Sequence, residues 1–172
     1  VLEQKGVEYW FKTEEKMLNA LRAGEMLEAE VIHRQQVSGI SIAELERAKD
    51  EGKIAITDMD IGGVENVLKH KPDAVVLFLL PPNFDEWMNR MNARGQMPDD
   101  EKHRRLHTAV KVLKKGLQIE EAIFVVNDEF HQTAKLVSQI CESRPDQQLA
   151  KETAQKLLQE TEDYLEGQTN HS

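Results

Sequence analysis

The apolar run Ala74-Val75-Val76-Leu77-Phe78-Leu79-Leu80, closed by Pro81-Pro82, decides the fold. A continuous run of this length is typical of a parallel strand that is buried on both faces. A second apolar run, residues 122–126, ends in Asn127-Asp128 and has helical patterns on both sides. Strands that alternate with helices predict an α/β domain with a parallel sheet, in which ligands bind at the carboxyl ends of the strands.

Helix and turn signals predict the remaining elements. Thr13 caps a helix that ends at Gly24, and Ser41 with Glu44 forms a capping box for a helix that ends at Gly52. The other predicted elements are a strand at 6–11, a β-rich stretch at 26–40, a strand at 53–60, helices at 64–70, 84–91 and 99–117, a polar loop at 93–98, a helix that runs to residue 141, and one amphipathic C-terminal helix within 144–172.

Length, composition and charge argue against several classes of function. The 172 residues fit about one domain with a short appendage, and 40% hydrophobic residues suffice for a core. A net charge of -9 argues against general binding to nucleic acid or to an anionic membrane. The single cysteine, Cys141, forms no intramolecular disulfide, and we expect a cytoplasmic protein because a signal-peptide pattern and a long apolar segment are both missing.

The arginines form the most informative polar pattern. Arg90 and Arg94 are four residues apart and share a helix face, and Arg104 and Arg105 follow after a polar loop. Guanidinium groups bind phosphate bidentately, so arginines on two helices around a loop predict a phosphate clamp. The alternative is a solvated helix surface, on which arginines are common.

Four carboxylates are further candidates. Asp58 and Asp60 share a face near the end of the strand predicted at 53–60, where they would hold Mg²⁺ through water or accept hydrogen bonds from a sugar or base. Alternatively, they mark the turn after the strand. Glu28 and Glu30 lie in the β-rich stretch, where a buried carboxylate would accept the N–H groups of a guanine edge. The alternative is an exposed strand face.

The phosphate-loop motif G-x-x-x-x-G-K-[ST] is not found in these 172 residues. Gly52-Lys53 is followed by Ile54, and Arg47 stands where the motif requires its first glycine.

Several segments, in order from about residue 6 to 140, match short motifs of one protein family. Residues 6–11 (GVEYWF) are similar to its G-V-D-Y-x-F, and residues 23–28 (AGEMLE) to A-G-E-F-L-E. Residues 56–63 (ITDMDIGG) resemble L-x-D-I-D-V-Q-G, and residues 90–95 (RMNARG) resemble R-L-x-x-R-G. Residues 76–82 resemble I-F-I-x-P-P, Arg105-Leu106 resembles the later R-L, and residues 125–128 match V-V-N-D. Taken together and in this order, these segments resemble the guanylate kinase family.

The resemblance implies a parallel-sheet core like that of P-loop kinases, with a small mixed-β subdomain at about 7–41 that binds GMP and a helical lid at about 83–105. The kinase-like domain would span residues 1–143, and 144–172 would form the C-terminal helix. The implied reaction transfers a phosphoryl group from ATP to GMP with Mg²⁺. The implied GMP-binding residues are Tyr9, Glu28, Ser38, Ser41, Asp58 and Asp60. The implied catalytic arginines are Arg90, Arg94 and Arg105. The resemblance also implies that Asn127 and Arg94 bind ATP and that Asp58 contacts Mg²⁺ through a water molecule.

Two departures from the family pattern stand out. The family's N-Y-Y-G-[ST]-[ST] corresponds to residues 35–41, where Ser38 replaces a phosphate-binding tyrosine and Ile40 replaces a hydroxyl that helps to read guanine. In addition, the chain starts at Val1, so we expect a kinase whose first strand and P-loop are absent from these residues and whose activity is impaired. The alternatives are an inactive guanylate kinase-like module that binds phosphorylated peptides, and a nucleoside monophosphate kinase of altered base choice.

Overall fold

The computed structural model describes residues 11–32, 36–93, 95, 97–140 and 143–169. The chain divides into two compact units, residues 1–74 and 75–172. The strand predicted at 6–11 lies almost wholly outside the described residues. The domain boundary predicted at 143 stays a prediction. None of the helices in the described ranges combines the length and the apolar character that crossing a membrane requires.

The described residues of the first unit form three helices and one antiparallel pair of strands. The elements in chain order are α1 (Glu14–Arg22), β1 (Met26–Ile32), β2 (Gln36–Ser41), α2 (Ile42–Asp50) and α3 (Ile61–His70). Strands β1 and β2 pair with Glu28 opposite Ile40, and the register shifts between Met26 and Glu28. The predicted β-rich stretch is therefore a hairpin-like pair.

Both glycine stops predicted from the sequence are confirmed. After α1, Gly24 takes a φ of 69°, and the amide of Glu25 donates to the carbonyl oxygen of Ala20 at 2.9 Å. After α2, Gly52 takes a φ of 65°. Glycine is favoured at these positions because a β-carbon destabilises the left-handed conformation.

The capping box predicted at Ser41 is wrong, although the helix that it introduces is present. Ser41 is the N-cap of α2 but makes no side-chain capping bond. Glu44 pairs instead with Arg47, whose Nη2 lies 2.7 Å from Glu44 Oε2. The Glu44 carboxylate, which the capping box requires at the amide of Ser41, therefore pairs with Arg47 one turn further along the helix.

The strand predicted at 53–60 is also wrong. These residues have no strand pairing with any part of the chain that the structure describes. Ile54 and Ile56, which the alternation would place on the strand face of Asp58 and Asp60, are 64% and 79% exposed. Alternation of apolar residues creates a strand only where a partner supplies hydrogen bonds, and none of the described residues does so here.

Two parallel strands form the centre of the second unit in the part of the chain that the structure describes. Its elements are β3 (Leu77–Leu80), α4 (Phe84–Ala93), α5 (Asp99–Gln118), β4 (Ile123–Val126), α6 (Phe130–Ile140) and α7 (Gln148–Thr169). Strand β3 pairs in parallel with β4, so that Leu80 stands opposite Val126. The helices α4 and α5 connect the two strands, as a parallel connection requires.

Helices cover the two faces of this strand pair unequally. One face packs Leu80 and Phe124 against α5 and α7, and the rings of Phe78 and Phe124 stack with centroids 5.2 Å apart. The other face packs Ile123 and Val125 against α6. That packing leaves Leu79 57% exposed, so the prediction that β3 is buried on both faces is wrong.

Helix α7 is an integral part of this core. Ala154, Leu157 and Thr161 are buried, and Leu157 packs in the same cluster as Leu80 and Phe124. Further along, Leu165 packs with Met91 of α4 and Leu106 of α5. The predicted amphipathic C-terminal helix is confirmed, and its apolar face joins the helices that carry Arg90 and Arg105.

Candidate nucleotide site

A cleft of about 350 Å³ opens in the second unit where β3 and β4 end. It combines apolar and polar walls. Its lining residues are Leu79, Leu80, Pro81, Trp87, Arg90, Met91, Arg105 and Asn127. Three residues predicted to contact nucleotides, Arg90, Arg105 and Asn127, thus meet in one cleft at the carboxyl ends of parallel strands, where α/β proteins bind ligands.

Arg90 ties α4 to the end of β4. Its Nη1 donates to the carbonyl oxygen of Asn127 at 2.7 Å, and its Nη2 donates to the carbonyl oxygen of Asp128 at 3.2 Å. Its Nε donates to Glu86 Oε1 at 2.7 Å. All three guanidinium nitrogens are therefore engaged by the protein, and the spacing of the arginines in the sequence did not predict this role.

Arg105 enters the cleft from α5 and is held differently. Its Nε donates to Glu101 Oε1 at 2.8 Å, and Arg104 pairs with the other oxygen of the same carboxylate. Among the described residues, Glu101 is the carboxylate that pairs with Arg105. Arg104 does not line the cleft, so the two neighbouring arginines differ in their access to it.

Asn127 closes the end of the strand pair. Its backbone amide donates to the carbonyl oxygen of Leu80 at 2.7 Å, which extends the ladder by one bond beyond β4. The residue is half-buried and lines the cleft. Arg94, expected to act with it, lies outside the described residues.

The candidate GMP residues of the first unit lie on and beside the β1–β2 pair. Glu28 is half-buried and stands opposite Ile40. Because side chains alternate along a strand, Ser38 and Ile40 share the face of Glu28, whereas Ser41 lies on the other face. The structure therefore brings Ser38, but not Ser41, to the face of Glu28. Tyr9 lies outside the described residues.

Two glycines lie close to Glu28. A β-carbon on Gly39 would collide with the carbonyl oxygen of Glu28. A β-carbon on Gly63, in the first turn of α3, would lie 3.5 Å from Glu28 Oε1. The Glu28 carboxylate is therefore next to the N-terminus of α3, where the helix dipole stabilises negative charge.

Asp60 is the N-cap of α3. Its Oδ1 accepts a hydrogen bond from the amide of Gly63 at 2.6 Å. Helix α3 begins at Ile61, three residues before the predicted start, because the two glycines at 62 and 63 weaken the helical pattern. Asp immediately before Ile61 was the signal that could have placed the cap.

Asp58 is exposed in the segment that precedes this cap. No cluster of three or more metal-ligating side chains occurs among the residues that the structure describes. Mg²⁺ in nucleotide sites needs only one or two carboxylates, because phosphate and water oxygens complete its octahedral shell. An accessible Asp58 meets that requirement.

The clearest pKa shifts lie away from both groups of candidate residues. The Lys53 ammonium and then the Arg47 guanidinium donate to Glu51 and hold the pKa of its carboxyl below its usual range. Glu44 and then Glu51 raise the pKa of Arg47. These ion pairs are exposed and lie outside the cleft.

Known proteins with a similar sequence and fold identify the family. The family model described as "Guanylate kinase" matches residues 2–144. A protein of Corynebacterium diphtheriae named "Guanylate kinase" is 34% identical over 143 residues, which are 83% of this chain and 74% of that protein. A protein of Leifsonia xyli with the same name is 31% identical over 83% of this chain and 56% of its own length.

A solved structure agrees in fold. The crystal structure of guanylate kinase from Anaplasma phagocytophilum superposes with a TM-score of 0.55 at 22% identity, and the match covers 82% of this chain and 67% of that one. Helix α7 lies beyond the last residue of the family match. From the family match over residues 2–144 and the 34% identity to a relative, we conclude that this chain belongs to the guanylate kinase family.

Proposed function

We propose that the chain is a phosphotransferase that moves a phosphoryl group from ATP to GMP and forms ADP and GDP. One observation carries the proposal: Arg90, Arg105 and Asn127 line a single cleft at the carboxyl ends of β3 and β4. The family membership supports it, because the relatives carry the name guanylate kinase.

GMP recognition is assigned to the first unit. Guanine presents two adjacent N–H donors, at N1 and N2, and the Glu28 carboxylate accepts both. Adenine does not present this pair. Ser38 lies on the same strand face as Glu28 and supplies a hydroxyl for a further polar contact. Tyr9, Asp58 and Asp60 remain proposed contacts of GMP, whereas Ser41, on the other strand face, is not proposed as one.

Donor binding and charge neutralisation are assigned to the second unit. The Arg105 guanidinium would bind phosphate oxygens, and Asn127 would contact the donor nucleotide. Arg90 would keep the end of β4 in place through its two carbonyl contacts, in addition to its proposed catalytic role with Arg94. Such a site accelerates transfer mainly by positioning and by neutralising phosphate charge.

Asp58 would hold Mg²⁺ through a water molecule, with phosphate oxygens as the other ligands. When bound, the ion supplies positive charge to the phosphates. The residues of the chain orient the two nucleotides and exclude water, which competes with GMP as acceptor.

We further propose that the 172 residues alone turn GMP over slowly, because they carry no G-x-x-x-x-G-K-[ST] cradle for the donor phosphates. A coupled assay of ADP release with GMP as acceptor tests this. A weak rate that depends on GMP and is reduced by Arg105→Ala supports the proposal. A rate equal to that of a complete guanylate kinase contradicts the impairment, and no GMP-dependent rate at any enzyme concentration contradicts the catalytic assignment.

A second candidate function is the binding of a phosphorylated peptide without catalysis. Arg90 favours it, because all three of its guanidinium nitrogens already contact the protein and its role is structural in this conformation. Competition between GMP and a phosphoserine peptide separates the two functions. Displacement of the peptide by GMP, without turnover, would favour the binding module.

A further inference from the structure

We propose that Glu101 is a positioning residue that prepares Arg105 to bind phosphate. The inference rests on the proposed phosphoryl transfer at the cleft of the second unit, and it concerns a residue that no motif of the chain singled out. Glu101 holds the Nε edge of Arg105, so that the two terminal nitrogens of the guanidinium remain for a bidentate contact.

The two arginines of the cleft differ in which of their guanidinium nitrogens contact the protein. Arg90 donates hydrogen bonds from Nη1 and Nη2 to backbone carbonyl oxygens. Among the described residues, Arg105 donates only from Nε, to Glu101. A guanidinium that is bonded through Nε keeps its Nη1–Nη2 edge for one phosphate group. Arg105 is therefore the described arginine of this cleft with an edge left for a ligand.

The position of Glu101 in α5 favours its pairing with Arg105. It lies in the first turn of α5, where the helix dipole stabilises a carboxylate, and it precedes Arg105 by four residues, the favoured order for such a pair. Its side chain is 31% exposed and its two oxygens engage Arg105 and Arg104. A carboxylate fixed at both oxygens restricts the rotamers of Arg105 before a ligand arrives.

Orientation and charge act in opposite directions on ligand binding, which makes the inference testable. Removing the negative charge of Glu101 strengthens the attraction of a phosphate by a modest factor, since salt screens exposed charges. Removing the acceptor frees the side chain of Arg105, and ordering it again on binding weakens affinity by about two- to tenfold. Glu101→Gln removes the charge and keeps an acceptor oxygen, whereas Glu101→Ala removes both.

The experiment compares these two variants at equal net charge. ATP is titrated by calorimetry into the wild-type chain, Glu101→Gln and Glu101→Ala at one ionic strength. Glu44→Gln and Glu44→Ala are the matched controls, because Glu44 holds Nε of Arg47 at 3.1 Å in an exposed pair of the first unit. Thermal unfolding of each variant establishes that it is folded.

We expect Glu101→Gln to bind ATP as well as the wild type or better, Glu101→Ala to bind at least threefold more weakly than Glu101→Gln, and the two Glu44 variants to match the wild type. Equal affinities of Glu101→Gln and Glu101→Ala would overturn the inference while leaving the proposed function intact. Absence of ATP binding by the wild-type chain would overturn both.

The side-chain Nε–H signal of Arg105 gives a second readout that does not depend on affinity. In the ligand-free protein we expect slow hydrogen exchange in the wild type and Glu101→Gln, and faster exchange in Glu101→Ala. Identical exchange in all three proteins would show that Glu101 does not hold the guanidinium, and would overturn the inference.

Discussion

Arg90 donates a hydrogen bond from Nη1 to the carbonyl oxygen of Asn127 at 2.7 Å, and this bond joins α4 to the end of β4. Asn127 is in turn bonded through its amide to the carbonyl oxygen of Leu80. One guanidinium thus stabilises the point at which both strands of the second unit end. The residue expected to contact phosphate also maintains the shape of the cleft.

Replacement of this guanidinium should lower the stability of the second unit. We expect Arg90→Lys to reduce the free energy of unfolding by about 1–3 kcal/mol, because an ammonium cannot reach both carbonyls and Glu86 at once. Urea denaturation measures the loss. Arg104→Lys is the control, since Arg104 is an exposed partner of Glu101 and its replacement should cost less than about 0.5 kcal/mol. Equal losses in both variants would contradict the structural role of Arg90.

Two helical glycines should respond to alanine with opposite signs. In α5, a β-carbon on Gly116 would lie 2.9 Å from the ring of Phe78, so Gly116→Ala should destabilise by about 1–3 kcal/mol. In α7, a β-carbon on Gly167 meets nothing within 4 Å, so Gly167→Ala should stabilise by up to about 1 kcal/mol. Thermal melting of the two variants compares them directly, and a stable Gly116→Ala protein would contradict the close packing of α5 on β3.

Truncation of Leu157 tests whether α7 belongs to the core. Leu157 is 1% exposed and packs in the cluster of Leu80 and Phe124. We expect Leu157→Ala to lower the free energy of unfolding by about 2–5 kcal/mol. Leu149→Ala, at a position that is 75% exposed in the same helix, is the control and should have little effect. Similar small effects of both substitutions would mean that α7 is not needed for the fold of the second unit.

Ile40 should limit base recognition, because it stands opposite Glu28, the residue proposed to read guanine. We expect Ile40→Ser to tighten GMP binding by about two- to tenfold, the value of one net hydrogen bond, and to leave AMP binding unchanged. Val37→Ser, on the other face of β2, should not have this effect. If Ile40→Ser and Val37→Ser alter GMP affinity equally, the hydroxyl at position 40 does not reach the base.

Local signals in the sequence were sufficient to predict that the described helices exist, although not where α3 begins. The stops at Gly24 and Gly52 were predictable because a left-handed residue after a helix is set by its immediate neighbours. The parallel pairing of β3 and β4 was predictable because two apolar runs alternated with helical patterns.

Features that depend on distant partners were not predictable. Residues 53–60 alternate like a strand, yet strand formation depends on a neighbour that sequence periodicity does not identify. The bond from Arg90 to the carbonyl of Asn127 spans 37 positions, and the pairing of Glu101 with two adjacent arginines gave no motif. The sequence therefore brought forward Arg90, Arg105 and Asn127, which share one cleft, but not which atoms of each arginine remain available for a ligand.

The central claim is that Glu28 reads guanine in a chain that phosphorylates GMP. Calorimetric titration of GMP into the wild-type chain and into Glu28→Gln tests it most directly, because the substitution replaces a charged acceptor of two N–H groups by a neutral amide of similar size. We predict saturable binding of GMP by the wild-type chain and at least tenfold weaker binding by Glu28→Gln, since hydrogen bonds to charged groups are worth about 1.5–3 kcal/mol. Equal GMP affinity of the two proteins, or no binding of GMP by the wild-type chain, would contradict the claim.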